Sequence, residues 1–187
     1  MQRADHGPKD RLREEAKRLF HERGYGKATL GQIARAAGMT AQDAGAYYGS
    51  LEEICHEVIE TYRMAQAMQF EEISANGNPR QRLSLYLDSL ADQADDLARC
   101  GCPITNLYFD VKREDRELAD HAAELMLQRF NWIAEQFVII TRVETSRELP
   151  ERLTSAIHGI GILAQVRGNA RLIRNQVNQL KSWIRSM

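Results

Sequence analysis

Side chains able to do covalent or metal chemistry are thinly spread in this sequence. Its three cysteines are Cys55, Cys100 and Cys102. One glycine separates Cys100 from Cys102, where a zinc half-site of the CxxC type needs two residues, and Cys55-His56 lies far from them in sequence. An odd thiol count with this spacing gives no secreted disulfide framework, so reduced thiols are expected, with the GCP turn packing a small thiol. There is no nucleophile elbow, phosphate loop or HExxH. No enzyme, metal site or cofactor is therefore expected. What recurs instead is hydrogen-bonding chemistry at helix starts. Thr29 with Gln32, Thr40 with Asp43, and Ser50 with Glu53 each place a hydroxyl three residues ahead of a side chain suited to a first helical turn.

The elements that position these groups are helices throughout. Of 187 residues 43% are apolar, 27% charged and only four are proline, and helix formers dominate, so an all-α fold of about nine helices is expected. Leu12, Ala16, Leu19 and Phe20 make one stripe ending at Gly24. Short helices follow from Thr29 to Gly38 and from Thr40, and a long one runs from Ser50 toward Ile73 through Ile54, Val58, Tyr62 and Ala65. The NGNP segment breaks the chain before a fifth helix carrying Leu83, Tyr86, Leu87, Leu90, Ala94 and Leu97 up to CGCP. A short ITNLYFDV piece precedes a long helix over 115–141. Another starts at Pro150 and breaks at Gly168, and the last bears Ile173, Val177, Leu180, Trp183 and Ile184.

The net charge of −1 exerts no general pull on polyanions, so a nucleic-acid partner needs a local basic patch. No apolar run approaches the roughly 20 residues of a membrane span, and MQRADHGPKDRLREE lacks a signal peptide's apolar stretch; a cytoplasmic protein without a membrane partner is expected. Two short helices joined by Gly38-Met39-Thr40 match a helix-turn-helix, whose second helix enters the DNA major groove.

The order FHERGYGKATLGQIARAAGMT, then AYYGSLEEI, resembles the N-terminal domain of the TetR/AcrR family of transcriptional regulators over roughly Leu12 to Val58. The resemblance implies a helix-turn-helix DNA-binding domain over 1–52 and a helical effector-binding and dimerisation domain over 53–187. Within the head it implies Thr40 as cap, Gln42 and Ala46 turned toward bases, Tyr47 at a phosphate position and Tyr48 in the core. Thr29 would present its hydroxyl and backbone N–H groups to a phosphate, and Lys27 is the best candidate among the cations Arg3, Lys9, Arg11, Arg13, Lys17, Lys27 and Arg35. The pattern departs at Gly45, where the family usually has a phosphate-binding Tyr, and at Leu51, where it usually has Lys. Between Met39 and Leu51 no Lys or Arg occurs.

In the body, Tyr62, Tyr86, Tyr108, Phe130 and His158 are the expected lining of an effector pocket for a small lipophilic molecule. The last two helices, with Gly159, Gly161 and a stripe ending at Trp183, are expected to pair with a second copy. The expectation is a ligand-responsive homodimeric repressor, released from double-stranded operator DNA by its effector. The alternative is a TetR-like small-molecule-binding dimer with weakened or lost DNA binding.

Overall fold

A computed structural model describes residues 7–143 and 148–187. Every regular element among them is helical: α1 (Pro8–Arg23), a 3-10 turn (Tyr25–Lys27), α2 (Leu30–Ala36), α3 (Ala41–Gly45), α4 (Leu51–Ser74), α5 (Pro79–Asp92), α6 (Ala94–Cys100), α7 (Pro103–Val111), α8 (Arg116–Thr141), α9 (Glu148–Arg167) and α10 (Arg171–Ser186). The all-α class is as expected. The expected fifth helix is divided into α5 and α6 at Gln93, whose φ of −90° and ψ of 6° leave the helical region; the Ser89 carbonyl accepts both the Gln93 backbone N–H at 3.3 Å and its side-chain amide at 3.0 Å. Asp95 and Asp96 then suit the positive end of a fresh helix.

The described chain packs as two units, one of residues up to Met64 with Pro103–Leu125, the other of Ala65–Cys102 with residues from Met126 onward. In the first, α1 buries Leu12, Ala16, Leu19 and Phe20, joined by Ile33 and Ala34 of α2, Ala44 of α3 and Ile54, Val58 and Ile59 of α4. Gly24 ends α1 at φ +89°, a conformation open to glycine, and a Cβ there would stand 2.9 Å from Asp110 Oδ2. The same Asp110 oxygen on α7 accepts the Tyr25 N–H at 3.0 Å, seating the 3-10 turn on α7.

Glu57 of α4 gathers the head's polar contacts. It accepts hydrogen bonds from Lys9 Nζ and, at 3.2 Å, from the Tyr48 hydroxyl, with Arg13 Nη1 at 3.6 Å. The Lys9 hydrogen bond, with Lys9's charge, Tyr48 and Arg13 adding to it against a desolvation penalty, holds this carboxyl below its usual range. A depressed carboxyl contributes stability that is present above its unfolded value of about 4.3 and is lost as pH falls through the lower folded value. The head should therefore weaken on acidification below about pH 4.3, and Glu57→Gln should flatten that slope while lowering stability at pH 7. Urea midpoints at pH 7 and pH 3.5 check this; equal losses in variant and parent would contradict it.

The second unit is built around Phe70, Tyr86 and Trp132, with Phe70 stacked on Trp132 at 4.5 Å and Tyr86 edge-on to Trp132 at 5.8 Å. Trp132 Nε1 donates to Ser74 Oγ at 3.3 Å. The α10 stripe lies inside this unit's own core: Ile173, Val177, Leu180 and Ile184 are buried with Leu83 and Leu87 of α5 and Leu153 of α9. Trp183 packs beside Phe137 at 5.8 Å, beneath Arg152. The expectation that this stripe faces a second copy is thus corrected, since α10 spends its apolar face on α5 and α9. Among the apolar side chains left exposed, which include Met68 of α4 and Leu127 and Ile139 of α8, three lie together on α9: Ile162, Leu163 and Val166, at 63%, 54% and 79%.

Candidate nucleic-acid interface

The α2–α3 corner is made by local rules. Thr29 Oγ1 accepts the Gln32 N–H at 3.2 Å and Gln32 Oε1 accepts the Thr29 N–H at 3.1 Å, a complete capping box. Gly38 turns the chain at φ +73°, and the Met39 N–H returns to the Ala34 carbonyl at 2.8 Å, satisfying the end of α2. Thr40 Oγ1 accepts the Asp43 N–H at 3.1 Å and donates its own proton to Asp43 Oδ2 at 2.7 Å. The third cap differs in detail: Ser50 Oγ accepts the Glu53 N–H, but the Glu53 carboxylate accepts from Gly49 N–H at 2.7 Å.

Inside α3 only Ala44 points inward, fully buried, and the adjacent Tyr48 is 2% exposed. Those two anchors force the opposite side outward. Gln42, Asp43 and Ala46 are exposed, and Tyr47 is 43% exposed. A groove of about 610 Å³ runs along this face, lined by Thr40, Asp43, Ala46 and Tyr47 and flanked by Arg11 of α1 and Arg35 of α2. The amide of Gln42 can pair with a base edge and the Tyr47 hydroxyl with a phosphate oxygen. Asp43 sets a negative charge in the middle of this surface.

Several of the cations are paired within the head. Lys9 and Arg13 are engaged with Glu57, Arg13 also with Asp10, and Lys17 with Glu14 at 3.9 Å and the Tyr62 ring at 5.2 Å. Arg11, Lys27 and Arg35 are exposed, as is Thr29. Arg3 lies outside the described residues. Spacing alone did not single out Arg11 and Arg35, because their approach to α3 depends on how α1 and α2 cross it. Gly45 has no backbone need to be glycine, and a Cβ there would meet nothing within 4 Å.

The five expected effector-lining residues divide between the units. Tyr62 and Tyr108 belong to the first, both half-buried, Tyr108 edge-on to Phe109 at 5.2 Å. Tyr86, Phe130 and His158 belong to the second, with Tyr86 buried and the other two half-buried. Burial, with Asp115 and Glu52 adding, pushes the Cys55 thiol up to about 12, which makes it unreactive. Among the described residues no cluster of three or more His, Cys, Asp or Glu could hold a metal ion. Nor is any described helix long and apolar enough to cross a membrane.

Residues 12–58 match the family profile described as bacterial regulatory proteins, tetR family. The chain is 22% identical over 126 residues to the uncharacterized HTH-type transcriptional regulator YfiR of Bacillus subtilis (strain 168), a match covering 66% of this chain and 62% of that relative's length. Its fold is that of a TetR-family transcriptional regulator from Legionella pneumophila, with TM-score 0.84 at 16% identity, covering 100% of this chain and 98% of the other. A TetR-family regulator from Agrobacterium tumefaciens superposes with TM-score 0.83 at 16% identity, covering 94% and 96%.

Proposed function

Starting from an amino-terminal head that belongs to the TetR/AcrR family, we propose that this protein is a homodimeric transcriptional repressor that leaves its operator when a small molecule occupies its body. The observation that carries this reading is the outward face of α3, which exposes Gln42 and sets Ala46 and Tyr47 in a groove shared with Arg11 and Arg35. In this reading Gln42 and Ala46 meet base edges, Tyr47, Thr29 and Lys27 hold phosphates, and Thr40 sets the start of the reading helix. A two-fold dimer repeats the face about one turn of DNA away, as a palindromic operator requires. Effector binding shifts the population toward a head spacing that no longer fits the operator. The seat of the 3-10 turn on Asp110 of α7 supports a mechanical role for α7 in positioning the head.

A gel shift against the DNA upstream of the protein's own gene tests DNA binding. Retardation that weakens with salt is expected, with Tyr47→Ala and Lys27→Ala each weakening it severalfold and Lys27→Ala also lowering the salt slope by about 1 per phosphate contact. No salt-sensitive retardation would favour the second reading, a small-molecule-binding dimer with weakened or lost DNA recognition. Specific observations support that reading too: Met39 to Leu51 holds no cation, and Asp43 lies in the groove.

A further inference from the structure

The second unit contains a half-buried cation with no acid beside it among the described residues. Arg129 of α8 donates from Nε to Gln66 Oε1 at 3.1 Å and approaches Cys102 Sγ at 3.9 Å through Nη1. Burial is the largest single influence on this guanidinium and opposes its charge, but Tyr86 and Cys102 outweigh it and the group stays above its usual range; no Asp or Glu stands among the groups that favour the charge. Gln66 is itself 6% exposed, so the guanidinium rests against a buried neutral amide. Buried cations in folded proteins normally carry an anionic partner, because desolvation is otherwise uncompensated.

Polar groups gather in the same unit, two of them hydroxyls without a partner among the described residues. Tyr86 is 2% exposed, and its hydroxyl is buried without a hydrogen-bond partner. The charge of Arg129 reaches His158 on α9, which burial first and Arg129 second hold below its usual range. One turn earlier on the same face, Thr154 has a buried hydroxyl, also without a partner. Orphaned buried hydroxyls are rare and call for an explanation. Beside the phenol, Phe70 and Trp132 supply an apolar wall.

We infer that Arg129, Tyr86 and His158 form the polar end of the effector site, and that the effector is an amphiphile whose single carboxylate pairs with Arg129 while its apolar part lies against Phe70 and Trp132. This rests on the reading of the body as an effector domain. A carboxylate matches the guanidinium in charge and in bidentate geometry, and it can accept the Tyr86 proton that nothing among the described residues accepts. One fixed cation argues for a monoanion over a phosphate monoester, whose second charge would stay uncompensated.

Calorimetric titration of the full chain with octanoate and 2-naphthoate, each beside its primary amide, tests the inference. At least one acid should bind tenfold or more tightly than its amide. Arg129→Gln should erase that preference, and Tyr86→Phe should reduce acid affinity severalfold. Without ligand, Arg129→Gln should melt at or above the parent temperature, because a cation lacking an acid is not a structural keystone; a lower melting temperature would count against the site. Equal binding of acid and amide, or no binding of either, overturns the inference. An uncharged compound that releases operator DNA equally from parent and Arg129→Gln also overturns it, yet leaves the effector reading intact. Acids that bind through Arg129 without releasing DNA would sustain the site and overturn the effector reading instead.

Discussion

Val166→Glu should convert the proposed dimer into a single 21.3 kDa subunit and weaken operator retention by on the order of a hundredfold. Gly159, Ile162, Leu163 and Val166 follow one another at helical spacing on α9, and the three side chains are left more than half exposed. Within the subunit, a Cβ at Gly159 or Gly161 would meet nothing within 4 Å, so neither glycine is required by internal packing. A surface of this kind belongs against another apolar surface. A two-fold axis would repeat an inserted carboxylate, so two desolvated charges would oppose association, each costing several kcal/mol. Losing the dimer removes the second reading head and with it the avidity for a palindrome. Light scattering coupled to size exclusion reads the mass, and a variant still at twice 21.3 kDa would exclude this face from the interface.

Leu51→Lys should strengthen operator binding by on the order of tenfold at low salt and steepen its salt dependence by about 0.9 per subunit in log–log slope. Leu51 opens α4 just beyond the reading helix, in a stretch from Met39 that carries no Lys or Arg. A lysine there can lay its stem along the surface and bring its ammonium to a phosphate. Its cost is a cation at a helix start, about 0.3–1 kcal/mol, which the adjacent Glu52 and Glu53 soften. Fluorescence anisotropy across a salt series would read both effects. An unchanged slope would mean that the start of α4 does not approach the backbone, and that the α3 face is not the DNA-facing side.

Much of the head was legible residue by residue, because its signals are local. Gly24, Gly38 and Gly168 each read as a stop, and each adopts a positive φ that other residues resist. Thr29, Thr40 and Ser50 cap the helices that follow them, with hydroxyl and backbone separated by three residues whatever the rest of the chain does. The pair Tyr47 and Tyr48 divides into one exposed and one buried ring, since neighbouring side chains just past α3 point to different sides and only one side meets the core. The division of the fifth helix was not legible, since Gln93 is a good helix former and its departure from helical backbone angles carries no sequence signature.

Sequence by itself determined the helices, their caps and the reading corner, because hydrogen bonds three or four residues apart and a 3.6-residue period are written into adjacent positions. Tertiary structure alone decided that the α10 stripe serves the subunit's own core, leaving the α9 stripe in water. It also decided that Arg11 and Arg35 flank α3, and that α7 with the start of α8 packs in the same unit as the head. Arg129 shows the limit most plainly: in sequence it is one charge among many on a long helix, and only the packing of residues 63, 43 and 27 positions away half-buries it and brings Gln66, Tyr86 and Cys102 to it, with no acid among the described residues beside it. An apolar stripe states that a face will be buried without saying against what, and a charge states its sign without saying what it will meet; both are fixed by contacts between residues far apart in the chain.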